Sequence, residues 1–307
     1  MQNAADRLAS AIAAVGNPTA MGLDTQRSHL PAEFAPKDGS AQEICACILR
    51  YNRALLEGMH DLIRVVKVQA AYYEMYGLPG ITAFSETLRL ARELGYIAIA
   101  DCKRNDIGAT AGAYAKAYLS PEGGFSCDFV TVNPYLGADG IKPFAELAGE
   151  YGRGLYVLVK TSNPSGVELQ DQALADGRKV YELMADLVSH WGSGLIGSCG
   201  YSAVGAVVGA TWPAESTALR ARMPHTPFLV PGYGAQGGKA EDIAQYLTKG
   251  NGGVVNSSRG GAVVNASRSL LCAHQKRPEL GWLEATRAEA VRMREDITAG
   301  FRKGADE

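Results

Sequence analysis

Charged residues of both signs directly follow an apolar run in one short segment. Residues 96–110 read Tyr-Ile-Ala-Ile-Ala-Asp-Cys-Lys-Arg-Asn-Asp-Ile-Gly-Ala-Thr. Successive residues of a strand face opposite sides, so Asp101 and Lys103 share one face. Asp106 and Thr110, four residues apart, share a face of the helix that we expect to follow. The segment can therefore surround a small ligand with alternating charges, although an isolated Asp-x-Lys is more often a solvated loop with an ion pair.

The order of these charges favours the loss of CO₂ from an anionic ligand. Neighbouring carboxylates favour the charged form of an ammonium group, so Lys103 is expected to be a proton donor and not the neutral amine of a Schiff-base aldolase. A ligand carboxylate near Asp101 would be repelled by on the order of 4 kcal/mol at contact distance and an effective dielectric of about 20. Loss of CO₂ relieves this repulsion, and Lys103 can stabilise and protonate the remaining carbanion. The segment thus indicates decarboxylation that needs no cofactor and no metal.

The elements that must position these charges follow a regular order along the chain. Short apolar or β-branched runs recur, each followed by a polar turn and a helical pattern, which is typical of βα units around a parallel sheet. Eight such units predict an α/β fold, a (β/α)₈ TIM barrel built as a single domain from residues 1–307. The candidate strands lie near 19–23, 63–69, 96–101, 128–133, 155–160, 204–209, 227–231 and 253–257.

Two insertions and a C-terminal extension are expected to decorate the barrel. The insertions lie near residues 25–61 and 165–193, and residues 282–302 have the pattern of a charged amphipathic helix. Residues 261–275 are expected to supply a helix after the eighth strand. We interpret the second insertion as a lid, so shortening residues 166–176 should weaken substrate binding and leave the fold intact.

Polar residues occur where several candidate strands end, which is where barrels of this kind carry their chemistry. Asp24 follows strand one, Lys67 lies in strand two and Ser162 follows strand five. Consecutive strands of a barrel are neighbours, so Lys67 is expected to join the acids and bases of the 101–110 segment. Four strands thus deliver polar groups to one rim.

The loops after strands seven and eight predict a phosphate site. Residues 231–238 read Pro-Gly-Tyr-Gly-Ala-Gln-Gly-Gly, and a glycine such as Gly234 lets backbone N–H groups approach an anion. Arg259 can hold a phosphate through two hydrogen bonds, and Gln236 can donate its amide. A glycine-rich turn alone is a weak indication, and no Gly-Lys-Ser/Thr follows it. Its combination with Arg259 favours phosphate binding.

Composition excludes several other classes of protein. The 307 residues contain 30 Lys and Arg against 32 Asp and Glu, and no basic run predicts nucleic acid as a partner. Six cysteines without CxxC spacing are typical of reduced thiols in a cytoplasmic protein and form no zinc site. The alanine-rich N-terminus is interrupted by Asp6, Arg7 and Asn17-Pro18, so we expect neither a secretory signal nor a membrane span.

The whole set of motifs resembles the orotidine 5′-phosphate decarboxylases, and more closely their longer, mycobacterial-type (type 2) branch. Residues 101–110 are similar to the family signature D-x-K-R-x-D-I-x-x-T. Thr25 and Val68 depart from the branch, in which proline is frequent at both positions, but neither change alters a charged group. Further matches occur in order at Gly22-Leu23-Asp24, Lys67 with Gln69, residues 131–135, residues 160–164, the 231–238 loop and residues 256–260.

The resemblance implies that orotidine 5′-monophosphate is decarboxylated to UMP, the last step of de novo pyrimidine nucleotide synthesis, without metal or cofactor. Lys103 would protonate C6 of the pyrimidine, Asp101 would face the leaving CO₂, and Lys67 would contact the ribose and hold Asp101. It further implies a homodimer with shared active sites. The resemblance also implies that Asp24 binds a ribose hydroxyl and that Ser162 contacts the pyrimidine edge. The 5′-phosphate would be bound by Gly234, Gln236 and Arg259, and the partner's site would be reached by Asp106 and Thr110.

Two alternatives remain open from the sequence. A Mg²⁺-dependent sugar-phosphate decarboxylase or hexulose-phosphate synthase also uses Asp-x-Lys, but it needs a carboxylate where this chain has Lys67. A catalytically silent barrel that senses a nucleotide or sugar phosphate would share the phosphate loops, but it gains nothing from a carboxylate aimed at an anionic ligand. Sensitivity to a chelator would favour the first alternative, and binding without turnover would favour the second.

Overall fold

Eight parallel strands form a closed barrel in the computed structural model, which describes residues 1–233 and 261–306. Each strand pairs with the next one along the chain, and the eighth pairs with the first. The predicted (β/α)₈ fold is confirmed. The strands are β1 Thr19–Leu23, β2 Val65–Gln69, β3 Ile97–Arg104, β4 Phe129–Val132, β5 Gly154–Lys160, β6 Val204–Val208, β7 Phe228–Val230 and β8 Ala262–Ala266.

Helices cover the barrel on its outside and at one end. They are α1 Ala4–Val15, α2 Ala41–Met59, α3 Ala71–Glu74, α4 Leu78–Glu93, α5 Gly108–Leu119, α6 Ala138–Tyr151, α7 Val167–Gln170, α8 Val180–Gly192 and α9 Pro213–Arg222, and the helices Arg268–Leu271, Ala273–Lys276 and Trp282–Asp306 follow β8. Short 3₁₀ turns lie at Arg27–His29, Ala32–Phe34, Pro164–Gly166 and Ser193–Leu195. In these two parts of the chain, no helix has the length and apolar character needed to cross a membrane.

The first helix closes one end of the barrel. Asn3 caps α1 by accepting a hydrogen bond from the backbone N–H of Ala5 at 2.8 Å. Leu8 and Ile12 of α1 are fully buried and belong to the same apolar cluster as the first residues of several strands, including Val65. The helix therefore fills the amino-terminal end of the barrel, and the open end is the one at which the strands finish.

The eighth strand differs from the sequence-based prediction. The range predicted for it, 253–257, lies outside the described residues, and the strand that closes the barrel is Ala262–Ala266. This strand pairs with β7 on one side and β1 on the other. The prediction that residues 261–275 form a closing helix was therefore wrong for its first part, and helical turns begin only at Arg268.

A repeat of nine residues explains the difference. Residues 252–259 read Gly-Gly-Val-Val-Asn-Ser-Ser-Arg, and residues 261–268 read Gly-Ala-Val-Val-Asn-Ala-Ser-Arg. Both copies have the apolar pattern of a buried strand followed by an arginine, so this pattern cannot choose between them. The residues that follow do differ, because Gly260 follows the first copy, whereas the second leads into Leu270 and Leu271, which are fully buried in the outer layer.

Matched substitutions in the two copies test which one closes the barrel. Val264 is fully buried in β8, so Val264→Asp places a carboxylate in the core and should cost about 4 kcal/mol or more, or about 10 °C in Tm. Val255→Asp makes the same change in the first copy and should lower Tm less, as measured by circular dichroism. A larger loss for Val255→Asp would show that the first copy forms the strand in solution.

Candidate active site

The carboxyl ends of the strands surround a cavity of about 540 Å³, a size typical of small-molecule sites. Its apolar lining includes Leu158, Val207 and Leu229 of three strands. Its polar lining includes Asp24, Gln26, His29, Lys67, Gln69, Asp101, Lys103, Thr131, Thr161, Ser162, Asn163, Asn265, Ser267 and Arg268. The cavity thus joins an apolar floor to a densely charged rim.

Asp101 lies at the centre of the charged rim and is 6% exposed. Its Oδ1 atom is 2.6 Å from Nζ of Lys103 and accepts a hydrogen bond from the hydroxyl of Thr131 at 2.9 Å. Its Oδ2 atom is 3.0 Å from Nζ of Lys67 and accepts a hydrogen bond from Nε2 of Gln69 at 2.9 Å. Both oxygens of this buried carboxylate therefore have two partners each.

The charges of this cluster stabilise one another. Burial disfavours the charged form of Lys67, but the carboxylates of Asp101 and Asp24 outweigh it and raise the pKa of Lys67 above its ordinary value. Burial also disfavours ionised Asp101, yet Lys67 and Lys103 hold the pKa of Asp101 well below its ordinary value. A ligand carboxylate placed against Asp101 therefore meets a fixed negative charge at neutral pH.

This ion pairing makes stability depend on pH at both ends of the scale. Because the pKa of Lys67 is raised in the folded chain, its contribution is present at neutral pH and is lost as the pH rises through that higher pKa. Because the pKa of Asp101 is lower in the folded chain than the ordinary value of about 3.9, its contribution to stability is fully present above that value. The contribution is lost as the pH falls through the lower, folded pKa. Asp101 therefore does not titrate over the neutral range.

The backbone at Lys103 is unusual. Its φ angle is 47°, which makes it the one non-glycine residue with a positive φ among the described residues. The pairing of β3 with β4 shifts here, since Ala100 pairs with Val130 but Arg104 pairs with Val132. A left-handed conformation at such a residue costs on the order of 1–3 kcal/mol and persists only where its surroundings enforce it.

Thr131 of β4 enforces that conformation. Its hydroxyl accepts hydrogen bonds from the backbone N–H groups of Cys102 at 3.0 Å and Lys103 at 2.9 Å, and it donates one to Asp101. One donor and two acceptor positions are all that a hydroxyl has, so each is used. The sequence placed Thr131 in a supporting motif, and its role was missed because it depends on the shifted pairing of β3 and β4.

Asp24 is held by a buried polar network at the end of β1. The hydroxyl of Thr25 donates to Oδ1 of Asn52 at 2.7 Å, and Nδ2 of Asn52 donates to the hydroxyl of Tyr73 at 2.8 Å. The hydroxyl of Tyr73 donates in turn to the backbone oxygen of Leu23 at 3.1 Å. The network fixes the backbone on both sides of Asp24, whose Oδ1 atom is 3.3 Å from Nζ of Lys67.

The end of β8 contributes residues that the sequence did not predict. Asn265, Ser267 and Arg268 line the cavity, and Nδ2 of Asn265 donates to the hydroxyl of Ser267 at 3.3 Å. β1 approaches them closely, because a Cβ atom on Gly22 would lie 2.0 Å from Oγ of Ser267. His29 also lines the cavity, and burial together with the charge of Arg268 lowers its pKa. Arg268 could have been found from the sequence, because the nine-residue repeat places it at the position equivalent to Arg259.

The structure brings only part of the predicted set together. Asp24, Lys67, Asp101, Lys103 and Ser162 all line the cavity. Among the predicted residues that the structure describes, two lie away from it, since Oδ1 of Asp106 accepts from the backbone N–H of Ile107 at 2.8 Å and Thr110 is exposed on α5. Gly234, Gln236 and Arg259 lie outside the described residues. Arg104 pairs with Glu74 at 2.7 Å.

Comparison with known proteins identifies the family. The family model described as "Orotidine 5'-phosphate decarboxylase / HUMPS family" matches residues 48–280, which is well over half of the chain. The chain belongs to this family. The predicted family is therefore confirmed.

Relatives and solved structures agree with this assignment over almost the whole chain. The orotidine 5′-phosphate decarboxylase of Clostridium tetani is 42% identical over 277 residues, which cover 90% of this chain and 91% of that protein. A crystal structure of a protein from Streptomyces avermitilis, described as a putative orotidine 5′-phosphate decarboxylase, superposes with a TM-score of 0.80 at 32% identity and covers 98% of this chain and 97% of that one. The Leishmania donovani OMP decarboxylase superposes with a TM-score of 0.74 at 28% identity, covering 98% of this chain and 100% of that one.

Substitutions at Thr131 test whether its hydroxyl supports the catalytic segment. Thr131→Val removes the partner of two backbone N–H groups and of Asp101, and should lower the free energy of unfolding by about 2–4 kcal/mol. Thr131→Ser keeps the hydroxyl and should lose only about 1 kcal/mol for the missing methyl group. Urea unfolding of both variants measures the difference. Equal losses would mean that only the buried methyl group matters.

Proposed function

We propose that this chain is a carboxy-lyase that converts orotidine 5′-monophosphate to UMP without a metal or cofactor. The observation that carries the proposal is the ionised, fully partnered carboxylate of Asp101 beside the ammonium group of Lys103 in a nucleotide-sized cavity. A binding site gains nothing from a fixed negative charge that repels its anionic ligand. A decarboxylase gains, because the repulsion disappears in the transition state.

The proposed reaction uses the two charges in sequence. The carboxylate on C6 of the pyrimidine lies against Asp101 in the bound substrate, and the C–C bond breaks so that CO₂ leaves as a neutral molecule. The electron pair remains on C6, where the ammonium group of Lys103 stabilises it and then donates a proton to give UMP. The Lys103 side chain is 44% exposed, so it can recover its proton from solvent.

The rest of the cavity is assigned to substrate binding. We propose that Lys67 contacts the ribose and holds Asp101, that Asp24 binds a ribose hydroxyl and that Ser162 contacts the pyrimidine edge. Support comes from their common position on the cavity wall and from the contacts of Lys67 with both carboxylates. The loop from Gly234 to Gln236 remains a predicted phosphate site that lies outside the described residues.

We assign the main phosphate contact to Arg268. It follows β8 and lines the cavity, at one of the two positions where barrels of this class bind phosphate. The nine-residue repeat makes it the counterpart of Arg259, to which the sequence motif first pointed. The closing strand observed here favours the second copy, and hence Arg268.

The proposed active form is a homodimer in which Asp106 and Thr110 reach the partner's site. Neither lines the cavity of its own chain, and apolar side chains beside Asp106 are open to solvent. Ile107 is 52% exposed, Tyr135 75% and Leu136 44%. A Cβ atom on Gly140 would lie 2.9 Å from the backbone oxygen of Asp106 and 3.7 Å from Cβ of Leu136, which places the two residues close together. Such a patch is typical of a protein interface.

We further propose that the chain belongs to the longer, mycobacterial-type branch and is cytoplasmic. The branch rests on the ordered set of motifs in the sequence. The location rests on the cysteines, since Cys45, Cys47, Cys102, Cys127, Cys199 and Cys272 are all free thiols, as expected in a reducing compartment.

The two alternative functions are less compatible with the geometry. Nζ of Lys67 lies 3.0 Å from Asp101 and 3.3 Å from Asp24, so an ammonium group takes the position at which a divalent cation would need carboxylate ligands. A silent sensor would not need the strained backbone at Lys103, which keeps its ammonium group beside Asp101.

The decisive experiment follows the absorbance of orotidine 5′-monophosphate with purified protein in excess EDTA. The wild type should convert it to UMP, and Lys103→Ala should lose nearly all activity, because the proposed reaction takes the proton for C6 from Lys103. Lys37→Ala, at an exposed lysine before α2, is the matched control and should be fully active. Absence of turnover by folded wild type, or loss of turnover on chelation, would reject the proposal.

A second experiment compares the two arginines of the repeat. Arg268→Ala should raise KM about tenfold to a hundredfold, as expected for a lost charge-assisted hydrogen bond worth about 1.5–3 kcal/mol. Arg259→Ala should have the smaller effect. Binding of uridine, which lacks the phosphate, should be unchanged in both variants. If Arg259→Ala has the larger effect on KM, the phosphate contact belongs to the first copy.

A further inference from the structure

A buried ammonium group outside the catalytic cluster ties the second insertion to the barrel. Lys160 is the last residue of β5 and is fully buried. Its Nζ atom lies 4.4 Å from the ring centre of Trp212 and 4.9 Å from that of Tyr181. It donates to Asp171, which also accepts from Nζ of Lys179 at 3.2 Å. A buried charge requires such a partner, so Asp171 is fixed at the end of β5.

The residue before Asp171 binds the strand end directly. Oε1 of Gln170 accepts from the backbone N–H of Thr161 at 2.9 Å, and its Nε2 donates to the hydroxyl of Thr161 at 2.7 Å. Nε1 of Trp212 donates to the backbone oxygen of Thr161 at 2.8 Å. These bonds involve all three polar groups of Thr161 and close the loop 162–169 at its base.

These contacts of Thr161 also determine the position of Ser162. It directly follows Thr161, and its backbone oxygen accepts from the hydroxyl of Thr211 at 3.2 Å. A Cβ atom on Gly209 would lie 2.7 Å from the backbone nitrogen of Ser162, so the two segments are in close contact. The backbone of Ser162 is thus held from both sides while its side chain lines the cavity.

We propose that Gln170 is a positioning residue, which sets the affinity for the pyrimidine by fixing Ser162 through Thr161. The ion pair between Lys160 and Asp171 keeps Gln170 in place. The inference rests on the proposed function in one respect, namely that Ser162 contacts the pyrimidine edge. The 166–176 segment, expected from the sequence to be a lid, therefore contains an anchor of the site.

The first test measures binding of two ligands by calorimetry. Gln170→Ala should weaken binding of UMP on the order of tenfold, because two hydrogen bonds to Thr161 are lost. Binding of ribose 5-phosphate, which has no pyrimidine, should be unchanged. Gln172→Ala changes an exposed glutamine two residues away and should affect neither ligand. An equal loss for both ligands in folded Gln170→Ala would indicate a general structural role and overturn the inference.

A double-mutant cycle with Ser162→Ala gives the sharper test. If Gln170 acts through Ser162, the double variant should bind UMP no more weakly than Ser162→Ala alone. Additive losses, or full UMP binding by Ser162→Ala, would overturn the inference. The cycle measures UMP binding, whereas the proposed function fails if folded wild type does not turn over orotidine 5′-monophosphate. The two failures are therefore distinguishable.

Discussion

The contact between Asp101 and its two lysines is the interaction on which the site depends. A carboxylate that is almost completely buried stays ionised only because Lys67 and Lys103 compensate for the loss of water. This requirement fixes the neighbouring strands, since β2 must pair with β3 so that Gln69 lies opposite Asp101. It also fixes β4, whose Thr131 supplies the remaining hydrogen bond. The charges of the site can therefore compensate one another only if β2, β3 and β4 are neighbours in this order.

The barrel can hold this cluster because its two ends differ. Apolar side chains of α1 fill the amino-terminal end, so that part of the interior is closely packed. The other end is left to polar residues from several strands, and their backbones must approach one another closely. Gly22 of β1 shows how closely, because any side chain there would collide with Ser267 after β8. The contact between Gly22 and Ser267 therefore both allows the barrel to close and limits the shape of the cavity.

Much of this organisation could be predicted from the sequence, but not the parts that depend on exact pairing. The charges at the end of β3 were recognisable because such clustering is unfavourable unless partners exist nearby. The eighth strand was misplaced because the same strand pattern occurs twice, and local sequence rules cannot distinguish the two copies. The strand Ala262–Ala266 is identified only by its pairing with β7 and β1 in the closed barrel. Thr131 and Gln170 were missed because their importance lies in hydrogen bonds to residues that the fold brings together.

The supporting contacts also show that one requirement can be met by different chemistry. The site needs a rigid backbone at the end of β1, and a proline after Asp24 would be one way to provide it. This chain has Thr25 there, and rigidity comes from its hydrogen bond to Asn52 and from the contact of Tyr73 with Leu23. Proline would restrict the unfolded chain, whereas this network depends on buried partners in the folded one. The position of Asp24 is thereby coupled to the packing of α2 and α3, which carry Asn52 and Tyr73.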